Sequence, residues 1–132
     1  MKTKTIRQIV SFKAEPKQVY ELLMDSKKHS GFSESKVKMS RKANGKFETY
    51  DGYIHGRNVE LVEDKKIVQD WHFAENGWPD DHFSTCIFEF ENLGMGTRLT
   101  FTQTKIPEHL IENLKRGWNE FYWERMKRYL LK

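Results

Sequence analysis

Apolar positions in this chain recur with a period of two through most of its length and with a period near 3.6 at its end. At the start, Ile6, Val10 and Phe12 alternate with Arg7, Ser11 and Lys13, broken only by Gln8 and Ile9, which predicts a half-buried strand. Glu15 and Pro16 end it. Proline suits a first helical turn, and Val19, Tyr20, Leu22, Leu23 and Met24 follow at helical spacing, so a helix is expected to about Met24. Asp25 or Ser26 can cap a second, short helix running from Lys27 towards Gly31 and Phe32.

From Lys36 to Thr104 strand-like runs alternate with turn residues. Asn44-Gly45 is a hairpin signal joining Val37–Arg41 to Lys46–Tyr50, and Asp51-Gly52 marks a bend before Tyr53–Val62. Glu63–Lys66 turns that strand into Ile67–Phe73; a longer loop, Glu75–Asp81, leads to a last hairpin of Phe83–Glu91 and Thr97–Gln103. Gly52 and Gly56 read as bulge or bend sites that let a sheet curl. A long amphipathic helix opening at Pro107 closes the chain. Leu110, Leu114, Trp118, Phe121 and Tyr122 fall on one arc with Ile111 and Tyr129, and Glu112, Arg116, Asn119, Glu120 and Lys127 fall outside it. Successive hairpins make the sheet antiparallel, and the ring-bearing helix needs a concave apolar partner. Ile67, Trp71 and Phe73, then Cys86, Phe88 and Phe90, then Leu99 and Phe101 supply that inner face. The fold class is α+β, with the sheet wrapped around the terminal helix.

At 132 residues the chain reads as one domain large enough to bury a core without a metal or disulfide. Cys86 is the only cysteine, which excludes an internal disulfide and fits a reducing compartment, so a cytoplasmic location is expected. No run of about 18 apolar residues occurs and no signal-peptide pattern follows Met1, so neither membrane insertion nor export is expected. The net charge of +4 conceals a basic stretch of Lys27, Lys28, Lys36, Lys38, Arg41, Lys42 and Lys46, and an acidic one from Glu48 to Asp64. No RNA-binding, zinc-finger or helix-turn-helix pattern accompanies the basic stretch, so it reads as a solvated face rather than a nucleic-acid site.

Gly45-Lys46-Phe47, Asp51-Gly52, Gly56, Lys66-Ile67-Val68 leading to Trp71 and Phe73, Trp78-Pro79, His82-Phe83, and Gly117-Trp118 with Phe121, Tyr122 and Glu124 resemble, in order and spacing, the C-terminal domain of the activator of heat-shock protein 90 ATPase. That family lies within the helix-grip, START-like (SRPBCC) superfamily. The resemblance implies a single domain over residues 1–132, with a curved antiparallel sheet of about six to seven strands, two short helices after the first strand and a long C-terminal helix. It also implies a co-chaperone role with a heat-shock protein 90 family chaperone as partner; separately, the residues themselves lead to no expectation of enzymatic activity or of a cofactor. Eukaryotic activators owe much of their stimulation to a separate N-terminal domain, for which 132 residues leave no room. Because stand-alone members of the superfamily commonly bind small apolar molecules, the alternative is a carrier or sensor using the space between helix and sheet.

Trp71, Phe73, Phe88, Trp118 and Tyr122 are the candidate interior residues. They are either plain core or the lining of a gap filled by a flat apolar ligand, with the Tyr122 hydroxyl for orientation. Arg125 falls within the aromatic arc, where a cation is costly unless paired. It is expected to snorkel out, to meet Asp70 or Glu89, or to meet an anionic ligand head group at the cavity mouth. Trp78 reads as a rim-packed ring or as an exposed anchor for a protein partner. His55, His72 and His82 lie near Asp70, Asp80 and Asp81 in sequence, yet no helical ligand pair or metal-binding spacing links them, and no metal is expected. Cys86 on a strand reads as packed rather than nucleophilic, and no catalytic motif is present.

Overall fold

The computed structural model describes residues 1–132. The first strand, β1 (Thr3–Phe12), is followed by α1 (Pro16–Met24) and α2 (Ser26–Ser33). Pro16 opens α1, and the Glu15 N–H ahead of it donates to Gln18 Oε1 at 2.9 Å. Asp25, not Ser26, caps α2 by accepting from the Lys28 N–H at 3.0 Å. Then come β2 (Lys38–Met39), β3 (Lys46–Thr49), β4 (Ile54–Val62), β5 (Lys66–Phe73), β6 (Ser84–Asn92) and β7 (Thr97–Pro107). The seven strands form one antiparallel sheet in the order β1-β7-β6-β5-β4-β3-β2, so the last strand closes beside the first. The inner face is apolar at alternate positions, and the helices cover it, as the sequence pattern predicts.

Three boundaries differ from expectation. Asn44-Gly45 does not make a two-residue hairpin. Lys38 pairs with Glu48 and Met39 with Phe47, leaving a longer loop between β2 and β3. That loop is held from outside its own hairpin: Asn58 accepts from the Asn44 N–H, donates its own N–H to the Gly45 carbonyl, and donates its side-chain amide to the carbonyls of Ser40 and Lys42. The β-bulge of β4 lies at Asn58/Glu60 rather than at a glycine, and Gly56 serves another purpose. A Cβ at Gly56 would lie 1.8 Å from the Asp70 carbonyl oxygen, so only glycine lets β4 and β5 approach here. Finally, β7 continues through Pro107 because β1 begins early enough to pair with it: Thr3 faces Pro107 and the Lys2 carbonyl accepts from the Glu108 N–H.

The terminal helix therefore opens after a short 3-10 turn at Glu108–Leu110. It consists of α3 (Ile111–Trp118), a π-helical turn (Asn119–Trp123) and α4 (Glu124–Leu130). Leu110, Leu114, Trp118, Tyr122 and Met126 are all buried, each four residues from the last. In a regular α-helix each such step rotates the side chain about 40° further round the axis, so the row would wind off the sheet. The π turn takes up that rotation and turns Trp123 inward and Phe121 outward: Trp123 is 2% exposed and Phe121 is 42% exposed, the reverse of the expected arc.

Candidate functional site

Where the terminal helix and the sheet diverge, a groove of about 660 Å³ opens. One wall is Tyr50, Tyr53 and Ile54 around the Asp51-Gly52 turn, with Trp71, Phe73 and Glu75 on and just beyond β5. The other is Asn113, Leu114, Arg116, Gly117, Trp118, Glu120, Phe121 and Tyr122 of the helix. Trp71, Phe73, Trp118 and Tyr122 thus come together as expected. Phe88 does not reach the groove. It lies deeper, with its ring 5.0 Å from Phe101 and 6.0 Å from Trp118.

The polar tips of these rings are tied to partners within the protein. Trp71 Nε1 donates to Gln69 Oε1 at 2.8 Å, and Trp118 Nε1 to Gln103 Oε1 at 2.7 Å. Gln69 in turn donates to Asn58, and Gln103 to Ser84 Oγ. His29 is buried beneath Tyr122. Its Nδ1 donates to the Leu23 carbonyl at 3.1 Å, so the neutral ring presents Nε2 as the acceptor for the Tyr122 hydroxyl at 2.9 Å. Burial pushes the His29 pKa down to about 4, opposed by the Leu23 hydrogen bond. The Tyr50 hydroxyl donates to the Phe121 carbonyl at 3.1 Å, and burial pushes its pKa up to about 12. Tyr53 donates to Glu75, and partial burial together with that hydrogen bond raises its pKa. The groove therefore offers ring faces within and charged groups at its rim.

Arg125 lies outside the groove. Its guanidinium sits 5.0 Å from the Phe121 ring centroid, and Nη1 donates to the Ser33 carbonyl at 2.6 Å. Neither expected carboxylate meets it. Asp70 pairs with Arg57 at 3.6 Å, and Arg125 has a charge-assisted hydrogen bond to the backbone carbonyl at the end of α2. The cation opens instead onto a separate polar recess of about 330 Å³ shared with Glu34, Arg128, Tyr129 and Lys132. Trp78 is 5% exposed, its ring lies tilted against Phe73 with centroids 4.8 Å apart, and it donates Nε1 to the His82 carbonyl at 2.7 Å, so it braces its loop and is not an exposed anchor. On the outer face His55 and His72 pair across β4 and β5 with ring centroids 4.9 Å apart, covered by Phe83. No group of three or more metal-ligating side chains gathers anywhere. Cys86 is buried, which pushes its thiol pKa up.

Sequence reasoning missed Tyr50, Tyr53, Glu75 and Gly117. The available signals were a tyrosine on each side of Asp51-Gly52 and a glycine inside an otherwise good helix. A Cβ at Gly117 would meet only Phe121, at 4.0 Å, so nothing in the packing demands glycine there. Gly117→Ala should therefore raise unfolding free energy by about 0.5–1 kcal/mol, the usual helix-interior gain, in a urea melt. A loss of stability would mean that the helix backbone at this position is not free to take a side chain.

A family profile described as "Activator of Hsp90 ATPase homolog 1-like protein" matches residues 13–131. The chain belongs to that family. Human activator of 90 kDa heat shock protein ATPase homolog 1 is 28% identical over 117 residues, covering 89% of this chain and 34% of the relative. The Dictyostelium discoideum activator homolog is 29% identical over 126 residues, covering 95% of this chain and 32% of its own length. The chain thus spans about a third of the curated relatives it matches. The crystal structure of an HSP90 activator from Plasmodium falciparum superimposes with a TM-score of 0.89 at 24% identity, covering 96% of each chain, which establishes the shared fold. Within this Hsp90-activator family the helix-grip arrangement expected from the sequence is the one observed. No helix is long and apolar enough to cross a membrane.

Proposed function

We propose that this domain is a co-chaperone module that binds an Hsp90-family chaperone and influences it by contact rather than by chemistry of its own. The observation that carries this reading is the extent of the family match, which runs from residue 13 to residue 131 and so takes in both walls of the groove rather than one shared fragment. The ionisation states agree with it. Burial moves the pKa values of the Tyr50, Tyr53 and Tyr122 hydroxyls and of the Cys86 thiol further above neutral, the opposite direction from the one that activates a nucleophile or general base.

Sedimentation or surface plasmon resonance with a purified Hsp90-family chaperone is expected to show a saturable complex, and adding the domain is expected to change the chaperone's rate of ATP hydrolysis. Absence of a complex in both the ATP-bound and the ADP-bound chaperone would refute the reading.

A further inference from the structure

We infer that the aromatic groove is the surface this domain offers to its chaperone, and that it takes a segment of the partner presenting an apolar or aromatic side chain beside a basic one. The inference rests on the co-chaperone reading and adds to it a place and a chemistry.

The interior of the groove restricts its occupant. Trp71, Trp118, Tyr122 and Tyr50 all spend their hydrogen-bonding groups on Gln69, Gln103, His29 and the Phe121 carbonyl. Those groups are satisfied before anything binds, so an occupant gains from burial of apolar surface and from contact with ring faces, not from polar recognition inside. A polar ligand placed there would lose its water without recovering hydrogen bonds.

The rim supplies the polar half. Glu75 and Glu120 stand with Arg116 along it, two carboxylates to one guanidinium, on a chain whose formal net charge is +4. None of the three makes an ion pair within the domain: Arg116 donates to Asn113 Oδ1 at 3.0 Å, and Glu75 accepts from Tyr53. Among the side chains that line the groove the carboxylates thus outnumber the cations, and with Arg125 held on the Phe121 ring and the Ser33 carbonyl, Glu75 and Glu120 are open to a lysine or arginine flanking the anchoring side chain. Carboxylates beside open ring faces also suit an alkylammonium or guanidinium lying over those rings.

Exposure decides between a protein segment and a small molecule. Tyr53 and Phe121, on opposite walls, are 39% and 42% exposed. A small molecule seated between them would leave their outer surfaces wet. A macromolecular partner covers rim and interior together, the arrangement of a central aromatic hot spot ringed by polar contacts.

The test titrates an immobilised Hsp90-family chaperone with the wild-type domain, with Gly117→Leu, and with the double variant Glu75→Gln, Glu120→Gln, at low and high salt. Leucine at 117 extends the groove wall from a helix position where a Cβ meets only Phe121, at 4.0 Å, and glutamine at 75 still accepts from Tyr53. We expect Gly117→Leu to weaken binding about tenfold or more, as blocking a hot-spot pocket does. The double variant should weaken it several-fold and flatten its salt dependence. If the wild type does not bind, the co-chaperone reading fails and takes this inference with it. If the wild type binds and both variants match it, the reading stands and the groove is not the contact. The dye ANS serves as an apolar small-molecule probe: if Gly117→Leu excludes ANS while chaperone affinity is unchanged, the groove serves a small apolar ligand and the inference is overturned. Should Gly117→Leu fail to fold, as judged by circular dichroism, the double variant decides alone.

Discussion

Trp118→Ala is expected to lower the unfolding free energy by about 3–5 kcal/mol in urea denaturation, with a further penalty from the polar group it strands. Trp118 is 3% exposed and is the hub of the aromatic core. Ring centroids of Phe101, Tyr122, Trp71 and Trp123 lie 4.3, 4.7, 5.0 and 5.4 Å from its own. These neighbours come from β5, β7 and the helix itself, so truncation cannot be healed by movement of one element. The indole N–H also satisfies Gln103 Oε1, and Gln103 is held from its other side by Ser84 on β6. Against a typical domain stability of about 5–15 kcal/mol, the change removes a large share of what holds helix to sheet.

The packing and hydrogen-bond parts can be separated. Trp118→Phe keeps most of the ring contact but leaves the Gln103 amide oxygen buried without a donor, at a cost of about 1–3 kcal/mol. Adding Gln103→Leu removes the stranded group and should recover part of that cost, so the double-mutant cycle should show coupling between the two positions. A Trp118→Ala domain within about 1 kcal/mol of wild type would mean that the helix is not clamped by this ring.

The same tryptophan marks how far the sequence could be read. Period-two alternation placed Trp71, Phe73 and Phe101 on one face, and helical spacing placed Trp118 and Tyr122 opposite them, because burial of large apolar groups is encoded locally by position. Gln69 and Gln103 also occupy inward positions, an irregularity visible in the pattern, but their purpose required knowing that an indole N–H would arrive from another residue. The π turn was beyond reach for a related reason. A helix angle computed at a fixed step assigns Phe121 to the core, whereas the backbone widens by one residue so that a row of four-residue steps stays on the sheet. Asn44-Gly45 misled because turn propensity is local and the loop is fastened by Asn58, on another strand. Arg125 lies outside the groove in which the sequence pattern puts it, and its partner is a carbonyl at a helix end, which no charge pattern encodes. The groove itself is a place where elements fail to meet, and only the assembled fold defines it.

His29 provides the second large effect, a loss of stability on acidification. Buried beneath Tyr122 and stacked 4.9 Å from Phe32, it is neutral in the folded protein, with a pKa lowered from the ordinary 6.5 to about 4, first by desolvation and against the pull of the Leu23 carbonyl. Between those two pH values the unfolded chain takes up a proton that the folded chain refuses, so stability rises with pH across this window and falls as pH drops through it. Its contribution is complete above about pH 6.5, is lost progressively down to about pH 4, and changes no further below that. A difference of this size corresponds to about 3 kcal/mol. The hydrogen bonds are not what is lost: a protonated ring still donates to Leu23, and its Nε2–H can donate to the Tyr122 oxygen in place of accepting from it. What is lost is the hydration of the charge, in a site walled by Phe32 and Tyr122. Carboxylates elsewhere also titrate on acidification, and comparison with His29→Gln, which retains a donor and an acceptor, cancels them. Urea melts at intervals from pH 7 to pH 4 should show the wild type losing about 3 kcal/mol more than this variant. Parallel losses in the two proteins would mean that the imidazole is hydrated, and that α2 does not seal the end of the terminal helix.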